Sequence, residues 1–251
     1  MPVDETAPVD PVANEVYLRP PVTTVDEAIE RMDAVTRDLE MHAPRRDKDG
    51  VACFNYLYTV ITKRVRDSIN DGFFQSREFL SLLDIAFANR YFDALRNSFV
   101  DPPRTPRSWN VLVERRSNEN IESIQFAVAG VNAHVNFDLA LALLTTIRQL
   151  GTEPNDGTQR ADYLRINEIF SQEMATLRQH YQDDVLRVID DAASPVLDLV
   201  GDWSIEEARD AAWEIAEHFW ILSRFGIGDQ TLTKRLDKLA ALGGHLLLTP
   251  I

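Results

Sequence analysis

Apolar side chains recur along most of the chain at spacings of three and four residues, which is the pattern of amphipathic helices. No segment alternates apolar and polar residues with a period of two, so few or no strands are expected. The connections are short and no linker is obvious, which favours one all-α domain, a helical bundle over residues 23–251. The predicted helical segments are VDEAIERMDAVTRDLEMH, VACFNYLYTVITKRVRDSI, REFLSLLDIAFANRYFDALRNSF, PRSWNVLVERR, a long helix from about 121 to 150, RADYLRINEIFSQEMATLRQHYQDDVLRVIDDAA, IEEARDAAWEIAEHFWILSRF and QTLTKRLDKLAALGG.

Signals for helix ends accompany this pattern. Thr24 followed by Glu27 predicts a capping box at the start of the first helix, and Ser204 with Glu207 predicts a second one. Ser76 can cap the third helix. These signals support the division of the chain into helices.

The stretch GVNAHVNFDLALALL places four strongly polar side chains in the most apolar part of the chain. The helix around it, predicted from about 121 to 150, is apolar almost all round, so we expect it to be buried at the centre of the bundle. The polar side chains argue against a lipid-facing span. At about 100° per helical residue, His134 and Asp138 share one face. Asn132 and Asn136 share the opposite face.

Both polar faces of this helix need partners, because a buried polar group without a hydrogen bond costs ~1–3 kcal/mol. For Asn132 and Asn136 we expect hydrogen bonds to an adjacent helix or loop. Three interpretations are open for His134 and Asp138, which are neighbours at positions i and i+4. Asp138 could orient the imidazole and raise its basicity, the two could bind one divalent metal, or they could form a self-satisfied pair in the core.

Two other predicted helices carry polar side chains that could complete a site. Asp84 stands among large apolar neighbours in LLDIAF, and Tyr91 shares its helix face. The second helix offers four polar side chains at spacings of three and four: Asn55, Tyr58, Thr59 and Thr62. Asp84 could pair with a buried histidine, join a metal site, or bond Arg90 or a helix N-terminus.

Further histidines and the one cysteine are weaker candidates. Glu214 and His218 are interleaved with aromatic residues and could line an aromatic-walled pocket, although such a pair is more often structural. His180 and Asp184 lie in a charged stretch that is typical of a solvated face. Cys53 has no adjacent histidine in sequence, which argues against a catalytic thiol.

Charge and composition narrow the partners and the compartment. The formal net charge is -14 and the sequence pI is about 4.8, which argues against nucleic acid and against an anionic membrane surface. A single cysteine rules out an intramolecular disulfide and fits a cytoplasmic protein. Residues 1–22 lack the basic start and apolar run of a signal peptide and are expected to form a disordered or loosely packed arm.

Three sequence blocks carry a family resemblance: DGVACFNYLY (49–58), LDIAFANRYFDAL (83–95) and AGVNAHVNFDLALAL (129–143). Together they resemble an actinobacterial family of unknown function with an NAH-x-N-x-DL signature. The resemblance extends over roughly residues 23–225 and implies no activity. A fainter similarity is to helical zinc-dependent phospholipases and nucleases, which carry an H-x-x-x-D pair. It is confined to His134 and Asp138, since the further histidines of those enzymes have no evident counterparts.

The leading functional hypothesis is an enzyme that isomerises or cyclises a small, largely apolar molecule in a pocket between helices. His134 would be the general acid or base, oriented by Asp138, with Asp84 or Tyr91 assisting. The side chains expected to bind the substrate are Asn55, Tyr58, Asn132 and Asn136. No nucleic acid, membrane or cofactor is expected, and a homo-oligomer is compatible with the sequence.

Two alternatives belong to other classes. In a metal-dependent hydrolase, His134 and Asp138 would be ligands of a divalent metal, and Asp84 or Glu214 would complete the set. In a non-catalytic ligand-binding or interaction protein, the polar core residues would only fix the register of the helices.

Overall fold

The structure, a computed structural model, describes residues 15–182, 205–225 and 230–250. Most of these residues are helical and none of them forms a strand, so the all-α prediction is confirmed. A π-helical segment, His134–Asp138, joins α5 to α6. The helices are α1 (Val25–His42), α2 (Gly50–Asn70), α3 (Arg77–Val100), α4 (Arg107–Arg115), α5 (Ser123–Ala133), α6 (Leu139–Leu150), α7 (Gln159–His180), α8 (Ile205–Arg224) and α9 (Gln230–Leu247).

The continuous helix made of α5, the π segment and α6 lies at the centre of the bundle. α2 and α9 pack against α5, whereas α3 and α8 pack against α6. α1 covers α2 and α3 from outside, and α9 also runs along α4. Every residue of α5 except Ile124 is buried, so its polar side chains must find partners inside the protein.

The helix ends follow the sequence signals in part. Glu27 N–H donates to Thr24 Oγ1 at 3.1 Å, and Thr24 N–H donates to Glu27 Oε2 at 3.3 Å, which confirms the first capping box. Ser76 occupies the N-cap position of α3, as predicted. Its side chain makes no capping bond to the helix, because the hydroxyl pairs at 2.5 Å with Thr158 Oγ1 at the start of α7. Ser204 of the second predicted box lies outside the described residues.

Residues 15–22, the described part of the predicted N-terminal arm, are anchored to the bundle. The Tyr17 hydroxyl is buried and donates to Asp38 Oδ2 of α1 at 2.8 Å. Val22 exchanges two hydrogen bonds with the Asn89 side chain of α3, at 2.8 and 2.9 Å. The rest of the predicted arm lies outside the described residues.

The central helix differs from the uninterrupted α-helix that the sequence predicts. The Leu139 N–H donates to the carbonyl of His134, five residues earlier instead of four, which is the pattern of a π turn. His134 and Asp138 both belong to this turn. Turns of this kind occur as single inserts in α-helices, frequently at functional sites. The π turn and the sequence pattern therefore indicate the same two residues, His134 and Asp138, as candidate functional residues.

The central helix also has the length and composition of a membrane span. Ser123–Leu150 has 28 residues, and 89% of its most apolar 18-residue stretch is buried inside the protein. Burial of this extent is also what the core helix of a bundle requires. The cytoplasmic location stays a prediction.

Gly130 sets how closely α5 approaches α2. A Cβ atom added at Gly130 would lie 2.4 Å from Cγ of Phe54, so the ring would have to move. We expect Gly130→Ala to lower the free energy of unfolding, measured in urea, by about 1–3 kcal/mol. The matched control is Gly244→Ala in α9, whose new Cβ would make ordinary contact at 3.5 Å with Val111. Equal losses in both variants would contradict a packing role for Gly130.

Candidate functional site

A largely apolar cavity lies beside the π turn, between α2, α3, α7 and α8. Its volume is about 60 Å³, which is room for roughly four to six water-sized groups. Leu57, Phe87 and Phe170 are only half-buried, so the cavity comes closest to solvent on their side. The polar residues in its wall are Tyr58, Thr62, Asp84, His134 and Arg209.

Asp138 is the centre of a buried hydrogen-bond cluster next to this cavity. Its Oδ2 accepts hydrogen bonds from His134 Nδ1 at 3.0 Å and from Trp109 Nε1 at 2.7 Å. Its Oδ1 accepts from Arg90 Nε at 3.0 Å. Because a carboxylate only accepts, the neutral imidazole of His134 must carry its proton on Nδ1. Asp138 therefore fixes both the orientation and the tautomer of His134.

This arrangement leaves Nε2 as the nitrogen of His134 that has no bond to Asp138. His134 lines the cavity, and its Nε2 is buried without a hydrogen-bond partner among the described residues. Phe87 stacks on the imidazole with ring centres 3.4 Å apart, and Tyr58 meets it edge-on at 4.6 Å. Burial lowers the pKa of His134, although the hydrogen bond to Asp138 opposes the shift. At pH 7 the ring is neutral, and the lone pair on Nε2 can accept a proton.

Unpartnered polar atoms are concentrated at the cavity. In the part of the chain that the structure describes, six buried side-chain nitrogen or oxygen atoms lack a hydrogen-bond partner, and four of them belong to residues of the cavity wall. Each such atom costs ~1–3 kcal/mol unless water or a ligand satisfies it. The four are Nε2 of His134, Oδ2 of Asp84, the hydroxyl of Tyr58 and Oγ1 of Thr62, the last two of which lie close enough to interact with each other.

Asp84 is the acid of the cavity. Burial raises the pKa of Asp84 to about 7, and no cation of the described residues pairs with it. Arg90, one of its predicted partners, binds Asp138 instead. Burial, followed by the nearby charge of Asp84, raises the pKa of Tyr58 well above its ordinary value. Near neutral pH, Asp84 is thus divided between its acid and carboxylate forms, and Tyr58 keeps its proton.

Tyr91 and Asn55 are brought together, but away from the cavity. The Tyr91 hydroxyl donates to Asn55 Oδ1 at 3.0 Å. The Asn55 amide nitrogen donates to the Met32 carbonyl at 2.9 Å and to Thr36 Oγ1 at 2.8 Å. Because these polar groups are used inside the core, they tie α2 to α1 and α3. The geometry does not support catalytic or substrate-binding roles for them.

Asn132 and Asn136 also have structural partners. Asn132 Nδ2 donates to the Ala240 carbonyl of α9 at 2.8 Å, and Asn136 Nδ2 donates to Asn132 Oδ1 at 2.9 Å. Neither side chain lines the cavity. The two residues hold α9 on the central helix, as expected for buried amides, and the predicted role in substrate binding is not supported by their positions.

The residues predicted as metal ligands do not form a ligand set. Across residues 15–182, 205–225 and 230–250, no three His, Cys, Asp or Glu side chains are grouped closely enough to hold a metal ion. Asp138 already accepts three N–H donors, and the guanidinium of Arg90 would repel a cation there. Glu214 is exposed on α8. This donor set does not favour a metal-dependent hydrolase.

The other predicted histidine pairs lie outside the cavity. His218 Nδ1 donates to the backbone carbonyl of Glu214 at 2.7 Å, and both residues are exposed, so they do not line an aromatic-walled pocket. His180 is exposed and stacks on Tyr56 with ring centres 3.8 Å apart. Its predicted partner Asp184 lies outside the described residues.

The cavity is lined by four residues that were named from the sequence, Tyr58, Thr62, Asp84 and His134, but Phe87 and Arg209 were not predicted to belong to the wall. The signal for Arg209 was available, because it lies one turn before the buried Trp213 and two turns before the buried Ala216. That spacing places the arginine on the apolar face of α8. The charged residues around it in IEEARD are typical of a solvated helix face, so the buried position of Arg209 was not recognised.

The fold and the site define an all-α protein with a buried, oriented histidine beside a small apolar cavity. The chain belongs to a family of unknown function (DUF5995), whose model matches residues 25–250. The predicted membership in a family of unknown function is thereby confirmed, while an actinobacterial origin and the NAH-x-N-x-DL signature stay predictions. Comparison with curated proteins and with solved structures finds no match.

Proposed function

We propose that this protein is an enzyme that isomerises or cyclises a small, largely apolar molecule bound in the cavity, by moving a proton within it. The observation that carries the proposal is the grouping of a neutral histidine and a protonatable aspartic acid, each with an unpartnered atom, next to two hydroxyls in one largely apolar wall. An apolar cavity strengthens electrostatic interactions with a reacting group. It also favours a substrate with little polar surface.

The proposed roles follow from the protonation states. His134 removes a proton from a carbon of the substrate through Nε2, and Asp138 stabilises the imidazolium that forms. Asp84, as the uncharged acid, donates its proton at the other end of the shifted double bond. The substrate keeps its atoms and electrons, so no oxidant or reductant is needed. Exchange of protons with water returns His134 and Asp84 to their starting states.

Proton exchange with solvent tests this chemistry directly. The protein is incubated in D₂O with small apolar ketones and their β,γ-unsaturated analogues, and deuterium uptake is followed by NMR. We expect the wild-type protein to catalyse uptake about 10²–10⁴ times faster than His134→Phe, since a positioned base contributes that much. The phenylalanine keeps a flat ring against Phe87, so we expect the stability to fall by only about 1.5–3 kcal/mol, the value of one hydrogen bond to a charged group.

Xenon provides a control that does not depend on the choice of substrate. Xenon enters apolar cavities, so it should perturb the ¹⁵N resonances of His134 in histidine-labelled protein. The exposed His218 should not respond. A His134 signal that xenon leaves unchanged, together with equal deuterium uptake in wild type and His134→Phe, would contradict the proposal and leave a structural His–Asp pair.

A non-catalytic ligand-binding protein is the second candidate. Phe87 stacks on the imidazole with ring centres 3.4 Å apart and so limits the room for a reacting group at His134. This contact favours the second candidate. This candidate predicts that apolar ligands bind equally well to wild type and His134→Phe and that neither protein accelerates deuterium uptake.

A further inference from the structure

Arg209 carries a buried positive charge into the wall of the same cavity. The residue is only 3% exposed. Its Nε donates to Asn167 Oδ1 at 2.8 Å, and its Nη2 donates to the Tyr163 carbonyl at 2.7 Å. An arginine has five N–H donors, so these two bonds leave three unused.

No carboxylate of the described residues lies within ion-pair distance of Arg209. Its positive charge is offset by neutral oxygens, by the Tyr163 ring, whose centre is 4.2 Å from Cζ, and by the charge of Asp210 from beyond ion-pair distance. A buried ion without a directly paired counter-ion is costly, and burial lowers the pKa of Arg209 although Tyr163 and Asp210 oppose the shift. An anion bound beside the guanidinium would remove this cost.

The position of Arg209 directs such an anion into the cavity. The Phe170 ring centre lies 5.7 Å from Cζ, and Phe170 lines the cavity together with Arg209. Nη1 of Arg209 makes no hydrogen bond to the described residues, and a guanidinium matches a carboxylate with two parallel bonds. Apart from its five polar residues, the wall is apolar, and it encloses only about 60 Å³.

We infer that the ligand of this cavity is a short apolar carboxylic acid, whose carboxylate is bound by Arg209 and whose hydrocarbon part fills the space beside His134. The inference rests on the proposed function, in which this cavity is the substrate site, and it adds the chemical class of the substrate. The volume sets the size, because room for roughly four to six water-sized groups suits chains of about four to six carbons.

Binding of acids and alcohols of equal length tests the inference. Butanoate, pentanoate and hexanoate are titrated into the full chain by calorimetry at pH 6, with butanol, pentanol and hexanol as neutral counterparts. At this pH the acids are ionised, while Asp84, with a pKa of about 7, is mostly uncharged and does not repel them. We expect each acid to bind at least about ten times more tightly than its alcohol, the value of one charged hydrogen bond.

Arg209→Met is expected to abolish the preference for acids while alcohols still bind. Arg31→Met is the matched control, because Arg31 is also buried, also donates two hydrogen bonds to uncharged oxygens and also lies over an aromatic ring, but is not in the cavity wall. It should keep the wild-type preference. In wild-type protein, ¹⁵N resonances of Arg209 should respond to hexanoate and not to hexanol, a measurement that requires no variant to fold.

Three results would overturn the inference: equal affinity of wild type for acids and alcohols, an acid preference that survives in Arg209→Met, or no acid binding at about 10 mM, well above the usual range for small substrates. These results are separable from a failure of the proposed function. Acid binding without any His134-dependent deuterium uptake would count against catalysis and leave the anion site intact. Catalysis of neutral compounds without acid preference would count against the anion site alone.

Discussion

Replacing Asp138 with alanine is expected to lower the free energy of unfolding by about 3–5 kcal/mol, which is typical for breaking a buried charge pair. Asp138 is 1% exposed and accepts hydrogen bonds from His134, Trp109 and Arg90. The substitution leaves all three donors without an acceptor and deprives the Arg90 guanidinium of its counter-ion. The cost of the unpaired partners, more than the value of the lost bonds, dominates the effect.

Urea denaturation of Asp138→Ala measures this cost. The matched control is Asp101→Ala, because Asp101 also pairs with an arginine, Arg104 at 3.2 Å, but both side chains are exposed. An exposed pair contributes about 0–1 kcal/mol, so the control should be close to wild type. A loss below about 1 kcal/mol in Asp138→Ala would show that the three donors find other partners, and the cluster would then not hold the site together.

A conservative variant separates orientation from stability. In Asp138→Asn, one oxygen becomes an amide nitrogen, which cannot accept from Arg90, Trp109 or His134. We expect an intermediate loss of stability and a mixture of His134 tautomers in ¹⁵N NMR. A wild-type tautomer in this variant would contradict the orienting role of Asp138.

The contact between His134 and Asp138 was predictable because it is local. A spacing of four residues places two side chains on one face of any helix, and the apolar surroundings require that face to be buried. The π turn did not follow from the sequence, since HVNFD contains neither proline nor glycine. It depends on how α5 and α6 pack on different neighbours, which a helical pattern does not encode.

The sequence does not indicate the remaining partners of Asp138. It offers Arg90 only as a possible partner of Asp84, and it gives no signal for Trp109. Both reach Asp138 from other helices, 48 and 29 residues away in the chain. Helical periodicity shows which face of a helix is buried, but not which helices meet there. The same limitation explains why Asn55 and Tyr91 were assigned to the site, although they bond each other.

The second large expected effect is the change of stability with pH that Asp84 causes. Burial raises the pKa of Asp84 from 3.8 to about 7, so the folded protein binds this proton more tightly than the unfolded chain does. The stabilisation is complete below pH 4 and is lost as the pH rises to about 7. Above pH 7 the folded protein contains an unpaired, largely buried carboxylate.

Asp84→Asn removes the charge and should therefore stabilise the protein increasingly as the pH rises. Between pH 5 and pH 8 we expect the free energy of unfolding of the variant to gain about 2 kcal/mol on wild type, somewhat less than two full pH units of linkage because the side chain is partly exposed. Asp93→Asn, at an exposed position of the same helix, should follow the wild-type profile. Parallel pH profiles for Asp84→Asn and wild type would contradict the raised pKa.

The same substitution links stability to the proposed chemistry. An asparagine cannot donate a proton as an acid does, so Asp84→Asn should be more stable than wild type at pH 8 and yet slower in deuterium uptake by about 10²-fold or more. A residue kept only for packing would not show this combination, because its replacement by a stabilising side chain should leave catalysis unchanged. If Asp84 is buried for its function at the expense of stability, then Asp84→Asn should be more stable than wild type and should lose proton transfer.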